Sequence, residues 1–176
     1  MSRARAAAGS LVFLLLAPGV AAGVVPWLLT GWDSTGPPLA LQVGGAALIG
    51  AGAAALVSAF ARFVIDGIGT PAPVAPPEHL VVGGLYRHLR NPMYVAVAAT
   101  IVGQALQLGS PALLLYAALF LAVVAAFVHG YEEPTLSERF GAEYAAYRRN
   151  VPAWWPRLRP WTSEGASSGR PTDAGA

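Results

Sequence analysis

Apolar side chains in this chain come in long unbroken blocks, and this limits its fold more than any other feature. Residues 11–29 contain no charged or strongly polar side chain. Residues 38–60 contain only Gln42 and Ser58 as clear polar positions, and residues 111–128 are apolar throughout. Each block is long enough to cross a hydrocarbon core of about 30 Å at about 1.5 Å per residue. A fourth block, residues 93–108, is shorter and carries Thr100, Gln104 and Gln107. It meets the block at 111 through Gly109-Ser110, which predicts a tight helical hairpin. The expected fold is all-α: a polytopic integral membrane protein with about four transmembrane helices, near 11–30, 38–62, 92–108 and 110–130.

Composition agrees. Hydrophobic residues make up 55% of the chain and charged residues 11%, against roughly 25% charged in a soluble domain. Mean hydropathy is +0.52. These values exclude a disordered chain and a nucleic-acid-binding arm. The chain has no cysteine, so disulfides, thiolate metal sites and cysteine nucleophiles are excluded. The first block resembles a signal peptide in its basic start, Arg3 and Arg5, and in Ala21-Ala22-Gly23. It runs too far for an ordinary signal core and is expected to stay as a membrane helix.

Arginine placement sets a topology. Arg3 and Arg5 precede the first span, Arg62, Arg87 and Arg90 follow the second, and Arg139, Arg148, Arg149, Arg157 and Arg159 follow the fourth. The intervening turns lack Arg, and residues 30–37 contain Asp33. Both termini are therefore expected on the cytoplasmic side. No acid or arginine lies mid-span, which argues against an ion-coupled transporter. Gly44, Gly45, Gly50 and Gly52 mark the second span as one that packs closely against neighbours.

Two polar segments on that side carry the chemistry. Residues 70–77 are Pro-rich and expected to be extended. After them come His79, Leu80, Val81, Val82, a Gly-Gly pair, Tyr86, Arg87, His88, Arg90, Asn91, Pro92, Met93 and Tyr94. Asn91 suits the N-cap and Pro92 the first turn of the third span. The helix start, with Arg87 and Arg90 beside it, favours an anion. In the second segment, Glu132 and Glu133 follow the last span directly. Thr135 and Glu138 fit a capping box. Phe140, Tyr144, Tyr147 and Val151 share one helical face, so an amphipathic cytoplasmic helix is expected. The Trp- and Arg-rich stretch to 161 has an interfacial composition, and residues 162–176 are expected to be disordered.

The Gly-Leu-Tyr-Arg-x-x-Arg-Asn-Pro-Met-Tyr run at 84–94 resembles the signature of the isoprenylcysteine carboxyl methyltransferase family and its phospholipid methyltransferase relatives. The Glu-Glu-x-x-Leu-x-x-x-Phe-Gly-x-x-Tyr-x-x-Tyr-x-x-x-Val-Pro run at 132–152 resembles the family's second block. The two lie one membrane hairpin apart, as in the family, and the resemblance covers about residues 66–161. It implies one membrane-embedded methyltransferase domain, residues 1–161, that uses S-adenosyl-L-methionine from the cytosolic side. A lipophilic or lipid acceptor would enter from the bilayer, and carboxyl O-methylation is the family's model reaction. By the resemblance His79, Leu80, Val81 and Val82 line the cofactor pocket, Tyr86, Asn91, Pro92, Met93 and Tyr94 contact the cofactor, and Glu132 holds it. Arg90 suits the cofactor carboxylate. Two positions depart. Asn91 stands where the eukaryotic enzymes have His. Val128, beside His129, stands where they have an Arg that helps hold the substrate carboxylate.

A carboxylate acceptor needs no base. An amine does, and His88 and His129 are the candidates, with His129 also a candidate substrate contact. The acceptor stays open between a lipid carboxylate and an amine. Other readings of these residues are a membrane reductase of related architecture that uses NADPH and a non-enzymatic membrane scaffold.

Overall fold

The computed structural model describes residue 12 and residues 16–66 and 79–162. Arg3 and Arg5, the Pro-rich stretch at 70–77 and the tail from 163 lie outside the described residues. Helix α1 is Leu16–Thr30, α2 is Leu39–Asp66, α3 is Pro92–Leu108, α4 is Pro111–Phe127 and α5 is Glu133–Asn150. A short 3₁₀ turn covers Gly84–Arg87. The described residues contain no strand. Two helical stretches, Leu39–Arg62 and Pro111–Asn150, are long and apolar enough to cross a membrane, while α1 and α3 are shorter.

The α3 start and the hairpin after it follow the sequence expectation. Pro92 opens α3, and Gly109 closes it in the left-handed region at φ 67°. Ser110 then donates its N–H to Ala105 O at 2.9 Å, so the last carbonyls are met within a two-residue turn. Thr35 crosses from the α1–α2 loop and bonds Leu108 O through both its N–H (3.0 Å) and its hydroxyl (3.1 Å).

Two local expectations are corrected. Asn91 occupies the N-cap position, but its side chain makes no capping bond. Its Nδ2 donates instead to Ala153 O at 3.2 Å. The Thr135–Glu138 capping box does not form either. The chain runs from α4 through a π-turn, Val128–Glu132, directly into α5. No helix start exists there to be capped, and Thr135 Oγ1 bonds Tyr131 O one turn back at 2.7 Å.

The first helix has a backbone problem that its neighbours solve. Pro26 has no N–H for Ala22 O, and the Val25 N–H turns to Val20 O in a π-turn at Val20–Val24. Gln104 Nε2 of α3 donates to Ala22 O at 2.7 Å, and the Tyr116 hydroxyl of α4 donates to Ala21 O at 2.8 Å. In hydrocarbon, carbonyls left bare would cost several kcal/mol. The polar residues of the third and fourth apolar blocks therefore fasten the first.

Helices α2 and α3 touch through backbone. A Cβ on Gly103 would lie 2.7 Å from Gly45 O and 2.9 Å from Ile49 N, and one on Gly52 would lie 2.7 Å from Ala96 O. Only glycine permits this approach. Gly50, on the same helix, would meet nothing within 4 Å.

Gly103→Val is expected to destabilise the protein by about 1–3 kcal/mol through overpacking against rigid backbone. Gly50→Ala should be neutral or stabilising by up to about 1 kcal/mol. Thermal unfolding of the two variants in detergent checks the contrast.

Candidate functional site

The site forms where the start of α3 meets the end of α4. Pro92 fixes where α3 begins, so Tyr94 falls in its first turn. The π-turn before α5 places two consecutive carboxylates toward this start. The Tyr94 hydroxyl donates to Glu132 Oε1 at 2.6 Å. Glu133 is 4% exposed and accepts from Arg90 Nη1 at 2.6 Å. Its other oxygen lies 3.2 Å from Arg148 Nη2 and 3.8 Å from His129 Nδ1.

Around this pair of carboxylates stands a set of tyrosines. Arg90 Nη1 also donates to the Tyr144 hydroxyl at 3.1 Å, and the Tyr147 hydroxyl donates to Tyr86 O at 2.7 Å. Burial raises the Tyr86 phenol well above its ordinary range, helped by Tyr147, Glu132 and Tyr94. Burial likewise raises Tyr147, against the Arg90 charge, and Tyr144, again opposed by Arg90. These three phenols are neutral and can donate hydrogen bonds at physiological pH. Glu132 is pushed up by burial, and the Tyr94 hydrogen bond offsets part of that rise.

The residues singled out in the sequence fall into three groups. Val81, Tyr86 and Met93 pack together on Ala59, beside Tyr94 and Glu132. Leu80 and Val82 point the other way, onto Tyr144, Tyr147 and Val151. Asn91 and Pro92 are buried, and Arg90 is locked into its ion pair. His79 is exposed. His88 and Arg87 turn to the C-terminal stretch: His88 Nδ1 donates to Arg157 O at 2.8 Å and Arg87 Nε to Trp161 O at 2.7 Å. A carbonyl only accepts, so Nδ1 carries the His88 proton. The His129 side chain is 70% exposed.

From sequence, Glu133 is open between pairing with Arg and binding a ligand, and the structure pairs it with Arg90; Tyr144 and Tyr147 have no site role in that reading. The two tyrosines belong to the aromatic stripe, which reads as packing. Their hydroxyls add hydrogen bonds that helical spacing does not reveal.

Two features suit a ligand that carries both a cationic and an anionic group: an open carboxylate oxygen and an unpartnered guanidinium donor. Glu132 uses one oxygen for Tyr94, and among the described residues Oε2 carries no hydrogen bond. Arg90 Nε is buried with no hydrogen-bond partner. No group of three or more metal-binding side chains occurs among the described residues.

A family model for phospholipid methyltransferases matches residues 41–143, which include α3, α4 and the Tyr94–Glu132 pair. The chain belongs to the phospholipid methyltransferase family. It is a membrane methyltransferase by that membership, in agreement with the resemblance read from 84–94 and 132–152. No curated protein and no solved structure matches it. The phospholipid methyltransferase match ends inside α5, so Tyr144, Tyr147 and the stretch beyond them lie past its limit.

Breaking the buried ion pair has a different expected cost from breaking the hydrogen bond beside it. Glu133→Ala leaves Arg90 uncompensated and should cost about 3–5 kcal/mol. Tyr94→Phe removes one hydrogen bond and should cost about 1 kcal/mol. Unfolding of both variants in mixed micelles measures the difference.

Proposed function

We propose that the protein transfers a methyl group from S-adenosyl-L-methionine to a lipophilic acceptor that reaches the site from the bilayer. The observation that carries this reading is the Tyr94–Glu132 hydrogen bond at 2.6 Å, on a largely buried carboxylate with its second oxygen open. The bound cofactor supplies an electrophilic methyl carbon on a sulfonium.

Glu132 Oε2 accepts from the cofactor ammonium or a ribose hydroxyl, and Tyr94 fixes the rotamer of the carboxylate. The N–H groups of the first α3 turn lack a side-chain cap and offer donors to the cofactor carboxylate. Arg90, two residues before Pro92, adds its unpartnered Nε donor. Tyr86, Met93 and Val81 form the apolar wall, and the face of a tyrosine ring suits a sulfonium through cation–π attraction. His79, Asn91 and Pro92 adjoin this wall by their positions in the same segment, while Leu80 and Val82, which pack onto Tyr144, Tyr147 and Val151, lie outside it. Methyl transfer then depends on alignment of nucleophile, carbon and leaving sulfur, which a rigid site provides.

On the reading of four spans with the arginines on one side and both termini cytoplasmic, this site would lie at the cytosolic membrane surface. The acceptor is a lipid carboxylate or a lipid amine. A carboxylate needs no base; for an amine, His88 is the candidate, because Nδ1 donates to Arg157 O and leaves Nε2 as the accepting nitrogen, while the His129 side chain is 70% exposed.

Glu132→Gln should weaken S-adenosylmethionine binding about 10–100-fold, as expected for losing a charge-assisted hydrogen bond. Tyr94→Phe should weaken it about fivefold. Calorimetry of purified protein, with NADPH as the competing ligand, measures both. Binding of NADPH alone, or affinity unchanged in Glu132→Gln, overturns the reading.

The pH dependence has a defined sign. Only the ionised carboxylate attracts an ammonium, so affinity falls as pH drops through the Glu132 pKa. Because burial raises that pKa, the loss should be centred above the value of about 4.3 for an ordinary Glu. Binding isotherms from pH 8 downward locate the midpoint, and Glu132→Gln should flatten the profile.

A further inference from the structure

After α5 the chain does not leave the protein. It runs back as an irregular strap along residues 87–91, bonded to them through its own main-chain atoms. Arg90 N–H donates to Pro152 O at 2.9 Å and Asn91 N–H to Ala153 O at 3.3 Å. Arg157 N–H donates to His88 O and Trp161 N–H to Arg87 O, each at 3.0 Å. Arg157 Nη1 ties the strap to Asn150 O at 2.6 Å, and the Trp161 ring packs on Tyr147 at 5.6 Å between centroids. Residues 87–91 lead directly into Pro92, so these bonds hold the strap level with the α3 start.

What the strap leaves uncovered is specific. Leu158 is 97% exposed and Trp155 81% exposed, the two most exposed large apolar side chains among the described residues. They lie outside the helices whose apolar faces meet lipid tails. Arg149, at the end of α5, and Arg159, next to Leu158 in the chain, are also exposed. From residue 144 to residue 162 the chain holds four arginines and no acid. Arg148 is paired with Glu133, but Arg149 and Arg159 have no ion pair among the described residues. An aromatic ring and a leucine together with such arginines match the interfacial layer of an anionic bilayer: apolar atoms below the headgroups, guanidinium groups at the phosphates.

We propose that the 152–161 strap docks on the anionic face of the bilayer. Trp155 and Leu158 enter the interface, Arg149 and Arg159 engage lipid phosphates, and the docked strap steadies residues 87–91 at the entrance to α3. The docking stands on the exposed side chains alone. Its effect on cofactor affinity rests on the function proposed above.

The absence of cysteine allows a single reporter. The full-length Leu158→Cys protein, labelled with an environment-sensitive fluorophore, is placed in nanodiscs of phosphatidylcholine alone or mixed with phosphatidylglycerol. In the anionic discs the label should shift to the blue and be quenched by spin-labelled acyl chains. It should stay closer to its aqueous emission in phosphatidylcholine. Arg149→Gln and Arg159→Gln should each weaken the anionic preference about fivefold, and the double variant should abolish it. S-adenosylmethionine should bind more tightly in the anionic discs, and this gain should vanish in the double variant.

A label open to iodide in both discs overturns the docking and leaves an acidic soluble partner as the strap's occupant. Equal burial in both compositions overturns the anionic preference. Burial in the anionic discs without any S-adenosylmethionine binding supports the docking and overturns the cofactor reading instead.

Discussion

Two consecutive carboxylates at the end of a long apolar helix must each find a partner, because a bare charge at that depth is costly. Glu132 finds the Tyr94 hydroxyl and Glu133 the Arg90 guanidinium. Both partners come from one short stretch on either side of Pro92. The junction of α4 and α5 is thereby fastened to the α3 start at two points four residues apart. Much of the architecture at this end of the bundle follows from that rivet. Arg90 also holds Tyr144, which brings α5 back past its break at Gly141 (φ 47°, ψ −118°). Tyr147 then reaches Tyr86 O, and the chain beyond α5 is delivered alongside residues 87–91.

The opposite half of the bundle obeys the same requirement with backbone groups in place of charges. Pro26 costs α1 a donor, and Gln104 and Tyr116 provide substitutes from two other helices. Thr35 does similar work for the end of α3. The glycine contacts between α2 and α3 add close van der Waals packing, which is the main attraction available to helices in lipid. Fold and site therefore depend on one rule, that polar groups are matched within the protein where water is scarce.

Much of this was legible in the sequence because span length and proline placement are local signals. The Asn91-Pro92 start and the Gly109-Ser110 turn bound α3 at 92 and 108, as observed. The pairing of Tyr94 with Glu132 was reachable only through the resemblance, since the two residues are separated by a whole hairpin. The capping box at Thr135 failed for a physical reason. Its residue pattern competes with a helix already in progress, and the continuing helix leaves no unpaired N–H to cap. Arg87 and His88 were read toward a ligand because a side chain's identity does not reveal its partner. The partner is a strap that binds through main-chain atoms and so leaves no pattern in residue types. Tyr144 and Tyr147 were legible as an apolar stripe but not as hydrogen-bonding phenols.

The charges at the junction are unequally matched. Glu133 is flanked by Arg90 and Arg148. Glu132 has only the neutral Tyr94 phenol among the described residues. Its raised pKa follows from this arrangement, since burial opposes ionisation and a single hydrogen bond recovers only part of the loss. A cation placed against Oε2 would complete the set that Glu133 already has. The same geometry that fastens α4 to α3 thus leaves one carboxylate oxygen suited to an ammonium. The neighbouring ion pair keeps Arg90 from serving as that cation, because its Nη1 is already committed to Glu133 and Tyr144. Structural and ligand-facing roles are in this way divided between two adjacent residues, and the π-turn at Val128–Glu132 lets one helix present both.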